Sequence, residues 1–446
     1  MARRTQAGAP VVHGLHAAAW ALDLYCARYR LRSNALDLSV RFDRFIYLEQ
    51  AVEARLLKQG ADAFIIGLFV EGAKAAILQG EVRDERPGLP PESVPVATKR
   101  PLERPLDLDI NDLISADGYV SIPATSDTLS TAFPSLTKAF GSGAVGSLLS
   151  LSTLVGMHAP GLHSIFSKFC VRLDYMSGVR PLQYHVVKVQ SLLRALETKV
   201  SGAGLTGSVN SFVRRPPVLQ PSSLSILEGQ VPASSGDRVL IIGGSRGLGE
   251  IAAKLCAMGG AEVTITYAVG AADAESVRAD ITANGGRCEV RRLDVKEPIA
   301  AQLTGAGWHF THVYYFATSR IFTQSAAVLS RERLSDMLNI HLFGFKATCE
   351  FVALGGHAVK VFYPSSVAIE ENPRDAVEYV IAKSAGEILA RTLSSALPGL
   401  TVLSERLPRT NTDQTATVLP VPSSPAIDVI RPIVERMHSA GLSKNI

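Results

Sequence analysis

Tyr379 and Lys383 stand at i and i+4 in EYVIAKSAGEILARTL, a stretch whose apolar residues recur at helical spacing, so one helix face carries both side chains. A phenol next to an ammonium is a proton donor with adjustable acidity: free, it titrates at about 10, and a nearby positive charge lowers that value. Ser366 lies thirteen positions before Tyr379, just past the apolar run 359–363. Its hydroxyl can hydrogen-bond a carbonyl oxygen on which negative charge builds. Far upstream, VLIIGGSRGLGEIA (239–252) reads as a short buried strand, a glycine-rich turn and the opening of an apolar helix. The backbone N–H groups of such a turn and the positive end of the helix dipole can cradle a pyrophosphate, and glycine lets the phosphates approach the backbone.

These elements define a frame: a strand–turn–helix unit opening a parallel sheet, with the Ser, Tyr and Lys further along it. Taken together they resemble the short-chain dehydrogenase/reductase family over residues 236–440, and within it the 3-oxoacyl-thioester reductases. The family's T-G-x-x-x-G-x-G is matched from Gly243 to Gly249, with Ile242 in place of the usual threonine, and its Y-x-x-x-K and preceding serine match Tyr379, Lys383 and Ser366. The resemblance implies a Rossmann doubly wound parallel sheet. It implies a nicotinamide cofactor held by Gly243, Ser245, Arg246, Gly247, Leu248 and Gly249, with Asp294 at the adenine, Ala317 and Thr318 after the fourth strand, and Tyr379 and Lys383 at the nicotinamide ribose. The second strand ends TYAVG without an acidic residue that would repel a 2′-phosphate. With Arg246 in the turn this favours NADP(H); the alternative for Arg246 is a solvated loop cation, and for Asp294 a helix cap.

The chain departs from the family in three places. Tyr315, Phe316, Ala317 and Thr318 stand where N-N-A-G is usual, and only the alanine matches. Histidine occupies the place of the proton-relay asparagine, in His341, Leu342, Phe343, Gly344. After the catalytic helix, Pro408 is followed by Arg409 instead of glycine, while Thr410 and Thr412 can still reach the nicotinamide end. The expected catalytic set is Ser366, Tyr379, Lys383 and His341, in which a neutral imidazole at 341 holds the water that reprotonates Lys383.

Upstream of this region the pattern is one apolar helix followed by strands, and it occurs twice. Residues 11–29 read as a helix, with strands at 35–47, 63–70 and 75–82; residues 140–157 read as a second helix, with strands at 169–175, 182–189, 195–200 and 205–213. SVRFD and CVRLD match at a separation of 131 residues, and Gly14 and Gly146 lie 132 apart. The repeat, with Val11, Val12, His13 and Gly14 at its first helix, resembles the double hot-dog of MaoC-like enoyl-thioester hydratases over residues 1–215, with repeats at about 1–95 and 105–215. The fold class expected is therefore α+β followed by α/β. That family's D-x-N-P-x-H loop has no counterpart: only ten residues precede Val11, and Asp127 in SDTLSTAF is followed by no Asn, Pro or His. His13, His16, His158 and His163 are read as hydrogen-bonded structural histidines, and the half as degenerate, since a hydratase without its Asp/His pair lacks a general base. Residues 216–236, rich in Pro, Ser and Gly, read as a linker to a reductase domain at 237–446.

Bulk properties agree with an intracellular enzyme. A formal net charge of +4 over 446 residues gives no argument for nucleic acid. Five widely spaced cysteines without a C-x-x-C pair indicate neither a disulfide framework nor a metal site. The start, MARRTQAGAP, has no apolar signal core. The apolar stretch 144–162 carries His158, Pro160 and serines that argue against a membrane span. A cytoplasmic homo-oligomer assembled through the reductase domain is expected. Its expected reaction is NADPH-dependent reduction of a 3-oxoacyl thioester, on CoA or acyl carrier protein, with an acyl-binding hot-dog half. The alternatives are a dehydratase/reductase completed by a missing N-terminal piece or partner, a reductase of another small ketone, and a non-catalytic acyl-binding partner.

Overall fold

The structure, a computed structural model, describes residues 10–29, 35–83, 101–121, 124–303, 309–321, 329–415 and 421–439. The chain divides into two compact units, one running to Pro216 and the other starting at Pro217.

The first unit is a nine-stranded antiparallel sheet with two long helices. Helix α1 (Gly14–Tyr29) buries Leu15, Ala18, Ala19, Leu22 and Cys26, an i, i+3, i+4, i+7 stripe whose alanines permit close packing. Strands β1 (Ala35–Phe42), β2 (Val52–Gln59), β3 (Ala63–Val70) and β4 (Ala73–Arg83) follow, then β5 (Asp117–Val120), α2 (Ser126–Ala132) and α3 (Pro134–Thr153). Strands β6 (Ser164–Asp174), β7 (Leu182–Gln190), β8 (Ala195–Gly202) and β9 (Leu205–Val213) complete the unit. The sheet order is β2-β3-β4-β1-β6-β9-β8-β7-β5. Reading outward from the centre, β1-β4-β3-β2 is mirrored by β6-β9-β8-β7, so each half is a helix, a strand and a meander that returns beside that strand. In the central pair Ser39 lies opposite Cys170, the two matched positions of SVRFD and CVRLD.

Sequence periodicity and structure differ at several places. Strand β2 was not expected: its VEARLLKQ is exposed along most of its length and pairs with β3 alone, so no alternating buried face marks it. Strand β1 stops at Phe42, short of Tyr47. Helix α3 starts at Pro134, kinks at Gly141 and passes into a π turn at Leu154–His158. This helical stretch is long and apolar enough to cross a membrane, and 72% of its apolar window is buried inside the unit. It packs against α1.

The second unit is a six-stranded parallel sheet flanked by helices. In chain order it contains α4 (Ser223–Leu227), β10 (Arg238–Ile242), α5 (Gly247–Met258), β11 (Glu262–Tyr267), α6 (Ala271–Ala283), β12 (Arg287–Arg292), α7 (Ile299–Gln302) and β13 (His312–Tyr315). It continues with α8 (Arg331–Leu338), a π turn at Asn339–Gly344, α9 (Phe345–Ala353), β14 (Val359–Ser366), α10 (Ala368–Glu371), α11 (Val377–Ala396), β15 (Leu400–Leu407) and α12 (Ala426–His438). The order β12-β11-β10-β13-β14-β15, all parallel, is that of a Rossmann-like sheet, and the strand order reverses between β10 and β13. Strand β10 after Arg238 and residues 361–364 of β14 are apolar runs because both faces are covered by helices.

Residues 216–236, expected to be a linker, carry a helix that packs on the second unit. Helix α4 packs on α5 with Ile226 in the core, and Ser223 donates from its N–H and hydroxyl to Asp280. The ammonium of Lys254, buried in α5, bonds Glu250 at 2.8 Å, Asp280 at 3.0 Å and the carbonyl of Pro221 at 2.9 Å. A Pro/Ser-rich composition conceals these anchors because the partners, Lys254 and Asp280, lie outside the segment.

Candidate active site

The glycine turn, the loop after β13 and Ser366 all lie at the carboxyl edge of the parallel sheet, beside the reversal of strand order where such sheets bind ligands. Gly243 leaves β10 at φ +81, and a Cβ there would stand 2.9 Å from the Phe316 carbonyl carbon, so the two loops lie in contact. A Cβ on Gly249 would come within 2.2 Å of the Gly243 carbonyl, which only glycine avoids. The end of β11 holds the turn: Gly243 N–H donates to Thr266 Oγ1 at 3.2 Å and Gly244 N–H to the Thr266 carbonyl at 2.9 Å. Gly247, Leu248 and Gly249 form the first turn of α5, whose amides have no carbonyl within the helix to bond.

This cradle fits a pyrophosphate. Ser245 is buried in it, and Arg246 precedes α5 in extended conformation with its guanidinium 4.0 Å from the Asp413 carboxylate. Thr412 approaches Gly247. The one carboxylate in the first helical turn, Glu250, is engaged by Lys254. Asp294 folds onto its own turn, accepting from Lys296 N–H at 3.0 Å.

On the other side of the reversal, Ser366 is the last residue of β14 and accepts from Ala368 N–H at 3.2 Å. Tyr379 and Lys383 lie on the buried face of α11. The Tyr379 phenol is pushed up to about 12 by burial, against the lowering effect of a hydrogen bond with Ser366. Lys383 is pushed down to about 7 by burial, opposed by Glu387 one turn on. Its ammonium donates to the Pro364 carbonyl and lies 4.8 Å from the Tyr363 ring centre and 5.7 Å from that of Tyr379. Ser366 therefore lowers the phenol in this geometry, with the Lys383 ammonium nearby.

His341 is fully buried in the π turn, its ring edge-on to Tyr379 at 5.6 Å between centres. Nε2 lies 3.4 Å from Thr318 Oγ1, and Nδ1 has no hydrogen-bond partner among the described residues. Burial and then the charge of Lys383 hold the imidazole well below its ordinary value, so it is neutral at pH 7. Ala317, half-buried, and Thr318, exposed, sit on the loop facing it.

Four supporting residues escaped the sequence reading. Tyr315 and Tyr363, from β13 and β14, donate their hydroxyls to the π-turn carbonyls of Ile340 (2.6 Å) and His341 (3.2 Å). A π turn leaves carbonyls out of the regular ladder, often at functional positions. Glycines at 344 and 386 leave room for the two hydroxyls. Glu387 accepts from Ser365 and from two nitrogens of Arg406, bracing the end of β14. Glu378, beside Tyr379, accepts from Ser330 N–H at 2.7 Å and ties the start of α8 to α11. The only advance signal was Tyr315 itself, a hydroxyl where the family pattern has an amide.

In the first unit the histidines do not converge. His13 Nδ1 lies 2.8 Å from Ser152 Oγ, His16 packs edge-on to Phe133, and His158 packs on Tyr184. His163 pairs with Asp107 at 3.1 Å, and Asp127 is exposed at the start of α2.

No protein-family model matches the chain. Over 167 residues it is 29% identical to an uncharacterized oxidoreductase of Escherichia coli, YgfF, covering 35% of this chain and 68% of that protein. Among solved structures it is similar to a short chain dehydrogenase from Burkholderia cenocepacia in complex with NADP (23% identity, 48% of this chain and 94% of that one, TM-score 0.43). It is also similar to a short-chain dehydrogenase/reductase from Serratia marcescens (19%, 46% and 91%, TM-score 0.41). The strand order makes the second unit a Rossmann-like domain, and part of the chain is similar to an oxidoreductase.

Proposed function

We propose that the second unit is an NADPH-dependent reductase of 3-oxoacyl thioesters, carried on CoA or acyl carrier protein, and that the first unit is a double hot-dog domain that binds acyl chains. The observation that carries the reading is the gathering of Ser366, Tyr379, Lys383 and His341 at the sheet edge that also holds the glycine cradle. NADP(H), when bound, supplies the hydride for the carbonyl carbon. Gly243 to Gly249 hold its pyrophosphate, and Arg246 turns from Asp413 to the 2′-phosphate. Ser366 orients the carbonyl oxygen, and Tyr379 protonates that oxygen as charge develops on it. Lys383, charged in part at neutral pH, binds the nicotinamide ribose and restores the phenol proton, with His341 holding the water that supplies it. The mirrored halves of the first unit support the double hot-dog reading, and two acyl-handling folds in one chain support the thioester substrate. We place the enzyme in the cytoplasm as a homo-oligomer.

NADPH oxidation by the purified chain against a panel of 3-oxoacyl thioesters and simple ketones tests the reading. Thioester turnover that falls about 10²-fold or more in Tyr379→Phe, with NADPH binding kept, is expected. Turnover of simple ketones only would move the substrate class, and no NADPH consumption at all would reject the enzyme.

A further inference from the structure

At the opposite, amino edge of the parallel sheet, three residues remote in sequence bring one ligand atom each close together. Asp237 immediately precedes β10, His312 opens β13 and His438 ends α12; their ligand atoms all lie within 4.8 Å of one another. Asp237 Oδ2 is 2.6 Å from His438 Nδ1, and Asp237 Oδ1 is 3.5 Å from His312 Nδ1. The two imidazoles stack at 4.2 Å between centres, an arrangement that two charged rings would not keep. Both side chains are nearly inaccessible, and the carboxylate is about three-quarters covered.

The tautomers can be read from the partners. His312 Nε2 faces the Met437 carbonyl at 3.0 Å, so Nε2 carries the proton and Nδ1 carries a lone pair. That lone pair confronts a carboxylate oxygen. The Thr311 hydroxyl, 2.9 Å from Nδ1 and 3.3 Å from both Oδ1 and the Arg238 carbonyl, has one proton to give the three acceptors. One acceptor is left facing another, a geometry that a cation between them would relieve. A ring whose far N–H is fixed by a backbone carbonyl is also how metal-ligating histidines are oriented. His438 is held at its far nitrogen too, Nε2 lying 3.5 Å from Cys256 Sγ. That sulfur is on the far side of the ring and is not a ligand. The neighbouring cation, Lys360, is committed to the carbonyls of Met437 and Ser439.

We propose that Asp237, His312 and His438 form a structural site for a divalent first-row transition-metal ion, binding through one carboxylate oxygen and the two Nδ1 atoms, with a fourth position for water. Bonds of about 2.0–2.2 Å in tetrahedral geometry separate ligand atoms by roughly 3.3–3.5 Å. The His312–Asp237 spacing already has that value, the His438–Asp237 contact opens by less than about 1 Å, and the two stacked rings turn out of their stack so that both Nδ1 lone pairs meet the ion. His438 then donates from Nε2 toward Cys256, a tautomer change that releases no net proton. The site would fasten the last helix to the starts of β10 and β13, with β10 between it and the glycine turn.

Untagged full-length protein, stripped with a chelator, is dialysed against Zn2+ and its metal content measured, with Co2+ absorption as a reporter of coordination. One Zn2+ per chain, a higher Tm with Zn2+, and tetrahedral Co2+ bands are expected. Asp237→Asn and His438→Gln should each weaken binding at least about tenfold, whereas Cys256→Ser should keep the stoichiometry. Absence of stoichiometric binding to the wild-type chain overturns the proposal, and so does unchanged binding by Asp237→Asn. Because the wild-type measurement decides by itself, a variant that fails to fold leaves the test intact.

Discussion

Thr318 Oγ1 lies 3.4 Å from His341 Nε2, so two of the departures from the family pattern meet each other across the site. Thr318 replaces a glycine and His341 an asparagine, and the hydroxyl of one meets the ring of the other. The imidazole keeps its second nitrogen buried and without a partner among the described residues, as a group positioned to share a proton would. His341→Asn should retain activity within a few-fold, and His341→Leu should lose at least about tenfold in kcat with NADPH affinity unchanged. An unperturbed imidazole would add an acid limb near pH 6.5. Burial and Lys383 hold this one well below that, so wild type and His341→Asn should share the same profile at about pH 6. Kinetics of the three proteins across that range check both expectations, and full activity in His341→Leu would reduce the residue to packing.

Lys383 ties stability to pH. Its folded value is about 7 against 10.5 in the free side chain, because burial disfavours the charge. Between those values the unfolded chain binds a proton that the folded chain does not, so this group makes stability rise with pH. The desolvation cost is felt in full below about pH 7 and is relieved above it. Lys383→Met removes that dependence. Wild type should therefore gain on the variant by up to about 1.4 kcal/mol per pH unit between about pH 7 and 10. Urea unfolding of both proteins at about pH 6 and about pH 9 measures it, and a gap that does not change would show that the ammonium is not buried in solution.

Arg246 is the test of cofactor choice. Its guanidinium faces Asp413 at 4.0 Å beside the cradle and is still partly exposed, so it can turn to a 2′-phosphate. Arg246→Ala should raise KM for NADPH about tenfold, or about 1.4 kcal/mol, and leave KM for NADH nearly unchanged. Steady-state kinetics with both cofactors decide; equal use by the wild type would remove the basis for assigning NADPH.

Lys254 supplies a stability prediction away from the chemistry. Its ammonium serves Glu250, Asp280 and the Pro221 carbonyl at once while nearly buried. Burial works against the Asp280 carboxylate, but hydrogen bonds from Lys254 and Ser223 outweigh it and hold the group below its ordinary value. Lys254→Met strands two carboxylates and should cost about 2–4 kcal/mol. For Asp280 the sign is that of a depressed carboxyl: its contribution is present above the unfolded value and lost as pH falls through the folded one. The deficit, measured by urea unfolding, should shrink under acid.

The parallel α/β character of the second unit was legible because strand, glycine turn and helix are encoded within a few neighbouring residues. Tyr379 and Lys383 announced themselves for the same reason, through one helical turn of spacing. What stayed hidden depends on distance along the chain. The hydroxyls of Tyr315 and Tyr363 reach a π turn more than twenty residues away, and nothing local to an apolar strand signals that. Strand β5 is four residues long and β2 is an outer strand, so neither has the alternation that a half-buried strand shows. The anchoring of 216–236 was also hidden, because proline and serine describe that segment but not its partners Asp280 and Lys254.

The mirror about Ser39 and Cys170 is incomplete at its rim, and that sets an order of opening. Strand β7 is covered by β5 on its outer side, whereas its counterpart β2 ends the sheet with β3 as its one partner strand. A terminal strand offers unpaired backbone groups to any passing strand. Here Glu53, Arg55 and Lys58 line that rim, with Glu53 and Arg55 in an ion pair, and such charges discourage intruders. The first half therefore unzips from its border inward while the second is hemmed, and amide exchange should run as a gradient from β2 toward the central pair. Two halves with one wiring diagram would thus have unequal lifetimes.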